Sequence, residues 1–221
     1  MGNEIAAAVA TVPAAVWSAL IGAVCTLLGV WATSALTFKR ERIARDAALR
    51  RDIYMACSDA ASAGIGVIRA ASDLDATDGD LLKAYLEKAS TFTKVFMVAD
   101  ENALAAFVGF RDDLEDALRR AISERAPLIE LRSRLAAASS AAPEGKALQE
   151  ELRDALKRYV VARHDEATNL GRRFTSVLVS FRRDLGLRVK EEWLHALFDD
   201  SRRRRSDALA AALSEDSRER N

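Results

Sequence analysis

The sequence predicts an all-α protein: a single N-terminal transmembrane helix that continues into an elongated antiparallel helical bundle on the cytoplasmic side. Three observations predict it. Residues 13–38 form a stretch of 26 without one charged side chain. Beyond it, apolar residues recur at alternating steps of three and four, and no stretch alternates with period two. Only three prolines and ten glycines punctuate 221 residues rich in Ala, Leu, Arg and Glu, a composition that favours helix.

The same composition excludes several classes. Half of the residues are hydrophobic, enough for a buried core, and 33 basic side chains balance 33 acidic ones. A domain built to hold nucleic acid carries a basic surplus for its phosphate contacts, so nucleic acid is not the expected partner. Cys25 and Cys57 have no CxxC spacing, which removes a disulfide scaffold and a cysteine-built zinc site.

Five segments follow from the pattern. Residues 1–12 read as a short extracytoplasmic N-terminus, and 13–38 as the span, longer than the roughly 20 residues a membrane helix needs. Pro13 suits a first helical turn, and Trp17 suits the interface. Residues 39–52 form a charged stalk. Six Lys or Arg against two acids in 39–51, with only Glu4 on the other flank, place the N-terminus outside and the remainder in the cytoplasm of a bacterial inner membrane. A cleavable signal peptide would need a basic start and a shorter apolar core. Within the span Ser18, Gly22, Cys25, Gly29 and Ala32 recur at steps of four and three, a seam of small residues that lets two helices approach closely in lipid.

Residues 53–198 read as the bundle. A first face, Ile53, Cys57, Ala60, Gly64, Val67, Ala71 and Leu74, continues the stalk helix to Leu74. Asp78 or Asp80 caps a second helix with the stripe Leu82, Tyr85, Ala89, Phe92 and Phe96. Asp100 caps a third, which ends before Pro127, and a short fourth piece follows over 127–138. After a linker at 139–145, a long helix covers 146–185, with Gly186 as its C-cap. A last helix, about 189–213, is interrupted at 202–205, and residues 199–221 form a basic, charged tail.

Few residues carry chemistry. Gly145-Lys146 lacks the rest of a phosphate loop. Asp73, Asp75, Asp78 and Asp80 resemble a calcium loop with its glycine one place late, and read better as a capping turn. Glu191, His195 and Asp199 share a helix face that fits either a metal site or a solvated surface. No cofactor, metal or catalytic residue is expected from these patterns. Trp193, Phe198 and the run Arg202, Arg203, Arg204 and Arg205, with Lys39, Arg40 and Arg42 beside the span, are candidate contacts for anionic lipid headgroups. The rival is a helix that packs its aromatics and solvates its charges.

The organisation resembles a general type, single-span bacterial proteins with a helical cytoplasmic domain, which implies no activity. The expected function is non-enzymatic: a scaffold, adaptor or sensor that acts through homo-oligomerisation, coiled-coil packing or an unidentified protein partner at the bilayer. An oligomerising membrane-perturbing effector, as in phage defence or cell-death control, is the alternative. A helical membrane-bound enzyme or metal protein, resting on the His195 face, is the third.

Overall fold

The computed structural model describes residues 14–138 and 143–218. The expected N-terminal segment 1–12, Pro13 and most of the linker lie outside the described residues, as does the side chain of Trp17. Every regular element among the described residues is an α-helix: α1 Ala14–Ala70, α2 Asp78–Ala89, α3 Phe92–Val95, α4 Glu101–Ala137, α5 Pro143–Asp184 and α6 Glu191–Arg218. The all-α class stands. Between Leu49 and Arg50 the chain divides into two compact units, with α1 belonging to both.

The second unit is the bundle. Gly64 on α1 sits against Leu114 on α4, where a Cβ would come within 2.9 Å of a leucine methyl, so the two helices approach more closely than an alanine allows without repacking. Tyr54 of α1 stacks on Phe181 of α5 with ring centroids 4.0 Å apart, and Phe110 of α4 meets Phe174 of α5 at 5.0 Å. Arg120 pairs with Glu166 and Arg173 with Asp113, so α4 and α5 run antiparallel. The Tyr54–Phe181 and Arg50–Asp184 pairs show residues 50–70 of α1 antiparallel to α5 as well. Phe107, Leu114, Ala117, Ala121, Ala167 and Cys57, all with no measurable exposure, form the centre between the three helices. Each large apolar side chain sealed there contributes about 1.5–3 kcal/mol.

Several boundaries differ from the sequence expectation. α1 ends at Ala70, not Leu74, and the cap of α2 is Thr77, whose hydroxyl accepts from the Asp80 amide at 3.1 Å while Asp80 accepts from the Thr77 amide at 3.3 Å. Asp80 is thus the returning half of a capping box, which holds its carboxyl below the usual range. Asp78 is freed for another partner. In α2 and α3 the buried residues are Leu81, Tyr85, Phe92 and Val95, whereas Leu82 and Phe96 are 44% and 47% exposed. The helix breaks at Ser90 and Thr91, yet Tyr85 and Phe92 on its two sides both stay buried. Asp100 caps α4 as expected, its Oδ1 accepting from the Ala103 amide at 2.7 Å.

Pro127 does not end α4. The helix continues to Ala137 because Ala121 and Arg125 before the proline, and Leu128 and Leu131 after it, all bury against the bundle. A proline inside a helix costs about 3 kcal/mol, and two buried leucines offset that. The expected separate fourth piece is therefore the end of α4.

α5 ends on Gly186, the positive-φ residue at +71°. Its amide donates to the Arg183 carbonyl at 2.8 Å and the Leu187 amide to that of Arg182 at 2.9 Å, the paired bonds of a Schellman cap. α6 turns back along α5 and passes through 202–205 without interruption. It does not become a tail at 199, since Arg202 is buried and His164 Nε2 lies 3.1 Å from Ser206 Oγ.

The turn from α1 to α2 is held from α4. Arg125 is fully buried; its Nη1 donates to Asp78 and its Nη2 to the carbonyls of Asp73, at 2.8 Å, and Ala76. Removing one partner of such a group strands the others. Arg125→Ala is expected to destabilise the bundle by about 2–4 kcal/mol, and Pro127→Ala, which restores an amide donor, to stabilise it by about 1–3 kcal/mol. Urea midpoints monitored by circular dichroism check both signs.

Candidate functional site: the apolar span and the seat of α6

The first unit carries the candidate span. Among the described side chains of residues 16–38 every one is exposed, including Ile21 at 59%, Leu27 at 70%, Trp31 at 72% and Phe38 at 72%. A contiguous apolar surface of this length is stable only when lipid or protein covers it. It lies in the one helix, among the described residues, that is long and apolar enough to cross a membrane.

The threonines of this segment pair their hydroxyls without water. The hydroxyls of Thr26 and Thr33 donate to the carbonyls of Gly22 and Gly29 at 2.8 and 2.7 Å, and that of Thr37 to Thr33 at 2.9 Å. In hydrocarbon such internal bonds are the available way to pair a hydroxyl. Ser18, Gly22, Cys25, Gly29 and Ala32 are exposed on one side of this helix, and a Cβ built on either glycine meets nothing within 4 Å. Lys39, Arg40 and Arg42 follow as exposed residues of the same helix.

The second candidate region is the face on which α6 lies. Leu194 is buried there, and a cleft of about 370 Å³ beside it is lined by Tyr54, Met55, Leu178, Phe181, Leu185 and Phe198. At this end Asp184, its side chain 4% exposed, accepts from Arg50 at 2.9 Å and from the Tyr54 hydroxyl. Burial and the bond to Asp184 push the Tyr54 phenol far above its usual range. Asp184 therefore ties the start of the bundle's α1 segment to the last turn of α5.

The candidate lipid contacts on α6 are not one surface. Trp193 is 62% exposed near the Arg50 end, Phe198 is half-buried, and Arg202 is only 7% exposed. Arg203, Arg204 and Arg205 are exposed, with Arg204 paired to Asp200 at 2.5 Å. α6 runs away from the Arg50 end, so Arg202 and Arg205 lie beside Ile65 and Arg69. Along the helix Ile65 and Arg69 are about 22 and 28 Å beyond Arg50.

The acidic motifs have structural partners. Asp78 takes Arg125, Asp75 takes Arg132 at 2.5 Å, and Asp73 accepts from the Asp75 amide at 2.9 Å. Glu191 pairs with Arg183 and Asp199 with Arg202, so the His195 face is divided among ion pairs. Among the described residues no group of His, Cys, Asp and Glu is arranged to hold a metal ion.

The apolar pattern does not single out Arg125 and Arg163 and offers Arg202 only as a headgroup contact, yet each of the three lies on an apolar seam. Arg125 follows Leu118 and Ala121, Arg163 follows Leu156 and Tyr159, and Arg202 follows Leu194 and Phe198, all at steps of three or four. That placement was the available signal. Arg163, 4% exposed, donates to Glu124 at 2.9 Å and to Glu166, and lies 5.3 Å from the centre of the Tyr159 ring. Compared with family models, with curated proteins and with solved structures, the chain matches none.

Cys57, fully buried on α1, has its thiol pushed up to about 12 by burial. At pH 8 it is protonated and shielded, so it acts as a small core residue. In a Cys25→Ser chain, a thiol reagent at pH 8 is expected to label Cys57 only after denaturation. Rapid labelling of the native protein would show that the α1 face opens.

Proposed function

We propose that this chain is a single-pass protein of the bacterial inner membrane, with its N-terminus outside and its helical bundle in the cytoplasm. It acts without catalysis, by self-association and by presenting the bundle to a protein partner. The observation that carries the reading is the apolar segment of α1, exposed along its described length. The basic flank after Phe38 supports the orientation by the positive-inside rule. The small-residue seam with exposed Gly22 and Gly29 supports close helix pairing in lipid, where association rests on van der Waals contact.

An effector reading has one point in its favour. One uncharged span cannot line a water-filled path alone, so a membrane-perturbing role also requires an oligomer. Both readings therefore share the association step.

Carbonate extraction is expected to leave the full chain in the membrane pellet, and a C-terminal reporter to be active on the cytoplasmic side only. Release into the supernatant would remove the anchor, and periplasmic activity would reverse the orientation. Gly22→Leu with Gly29→Leu is expected to weaken self-association in a membrane two-hybrid assay by about fivefold or more, since close packing is lost. Ile21→Leu with Leu28→Ile, on another side of the helix, is expected to leave the signal unchanged.

A further inference from the structure

Between α1, α5 and α6 the bundle holds a cleft of about 230 Å³. Arg69 comes from α1, and Arg202 and Arg205 from α6. Thr168 and Ser62 add hydroxyls, and Ile65, Phe174 and Phe198 form apolar walls. None of the lining residues is acidic.

Arg202 is the anomaly. Its side chain is 8% exposed, and neither Nη1 nor Nη2 has a hydrogen-bond partner, although both are cut off from solvent. Asp199 lies 2.9 Å from Nη1 but off the line of a hydrogen bond, and its own side chain is 47% exposed. The other two buried arginines of the bundle have carboxylate and carbonyl acceptors on their terminal nitrogens. Arg202 alone of the three has no hydrogen-bonded acceptor there, only the ion pair with Asp199.

Its neighbours worsen the imbalance. Arg205 donates only to Ser201, on its own helix, at 3.2 and 3.3 Å, and Arg172 donates to the amide oxygen of Asn169 at 3.2 Å. Burial first, and then the charges of Arg172 and Arg205, hold the Arg202 guanidinium below its usual range despite Asp199; burial and Arg205 do the same to Arg69. Arg172 and Arg205 thus add positive charge around Arg202, whose one paired carboxylate, Asp199, is half exposed. A buried guanidinium with a single half-exposed counter-charge is poorly compensated, and a planar guanidinium meets a phosphate through two parallel bonds.

We propose that this cleft binds a phosphate group carried by a small organic molecule, held by Arg69, Arg202 and Arg205 with the Thr168 and Ser62 hydroxyls, and that its binding clamps α6 onto α1 and α5. A phosphate dianion supplies the missing acceptors and offsets most of the excess positive charge. The apolar walls take the rest of the molecule. This site goes beyond the membrane reading and stands without it: failure of the anchor would leave the cleft intact, and failure of the cleft would leave the anchor.

The test uses the full chain in neutral detergent at constant ionic strength, titrated with inorganic phosphate, adenosine monophosphate and chloride. Melting is followed by circular dichroism and affinity by calorimetry. The two phosphate species are expected to raise the melting temperature and chloride to leave it unchanged. Arg202→Met, which replaces a buried unpaired charge with an apolar side chain, is expected to melt no lower than the parent without phosphate and to bind phosphate about tenfold or more weakly.

Gly171→Met is a second block that spares the arginines. Gly171 lines the cleft, and a Cβ there meets nothing within 4 Å. It is expected to fold and to lose the phosphate response. Vesicles of phosphatidylcholine with and without phosphatidic acid separate the two sources of the group. A shift with soluble phosphate identifies a soluble ligand, and a shift with phosphatidic acid alone, lost in Arg202→Met, identifies a lipid phosphate. Equal responses to phosphate and chloride, or an undiminished response in Arg202→Met and Gly171→Met, would overturn the proposal.

Discussion

A guanidinium sealed inside the bundle organises the elements around it. Arg125 has no exposure, and its terminal nitrogens reach Asp78 and the carbonyls of Asp73 and Ala76. A buried cation tolerates no partial solution: either the chain brings oxygens to it or the helix that carries it does not bury. The turn from α1 to α2 therefore comes to α4, and α2 begins where Asp78 can reach. This demand also carries α4 past Pro127, because Arg125, Leu128 and Leu131 bury on both sides of the missing amide. The capping box of Thr77 and Asp80 completes the same junction, since it leaves Asp78 for the arginine.

The α4–α5 interface repeats the principle in a form open to water only at its edges. Glu166 receives Arg120 from α4 and Arg163 from its own helix, while Glu124 on α4 returns to Arg163. Pairs with an exposed partner, such as Arg120–Glu166, contribute little each. Their effect is on alignment, because a slip along either helix would unpair the buried guanidinium of Arg163. Apolar residues such as Leu170, Phe174 and Val177 supply the burial energy, and the arginines choose one packing among several that burial alone would accept.

α6 is seated on other terms. Leu194 is its buried apolar anchor, Phe198 is half-covered, and Arg202 enters the bundle with the Asp199 ion pair but without the hydrogen bonds that Arg125 and Arg163 have. An element with few buried apolar contacts occupies the low-stability end of a fold, where occupancy of a site weighs most on its position.

Local chemistry made much of this legible in the sequence. The 26-residue uncharged stretch announces a helix that needs lipid or protein around it, and steps of three and four announce α-helices elsewhere. Asp100 and Gly186 mark helix ends because a carboxylate beside free amides and a residue tolerant of positive φ are local requirements. Tertiary packing decided the rest. Leu81 and Leu82 both fit a helical stripe with Tyr85, and only packing within the bundle selects Leu81. Pro127 looks like a break, yet α4 continues because residues on both sides of it bury, and the run at 202–205 also stays helical, with Arg202 buried inside it. Arg202 reads as one of four surface arginines, and its burial and lack of acceptors arise only where α1, α5 and α6 meet. Sequence spacing states which residues share a helix face, whereas the partner of that face, and so the cost of each charge on it, is set by distant segments.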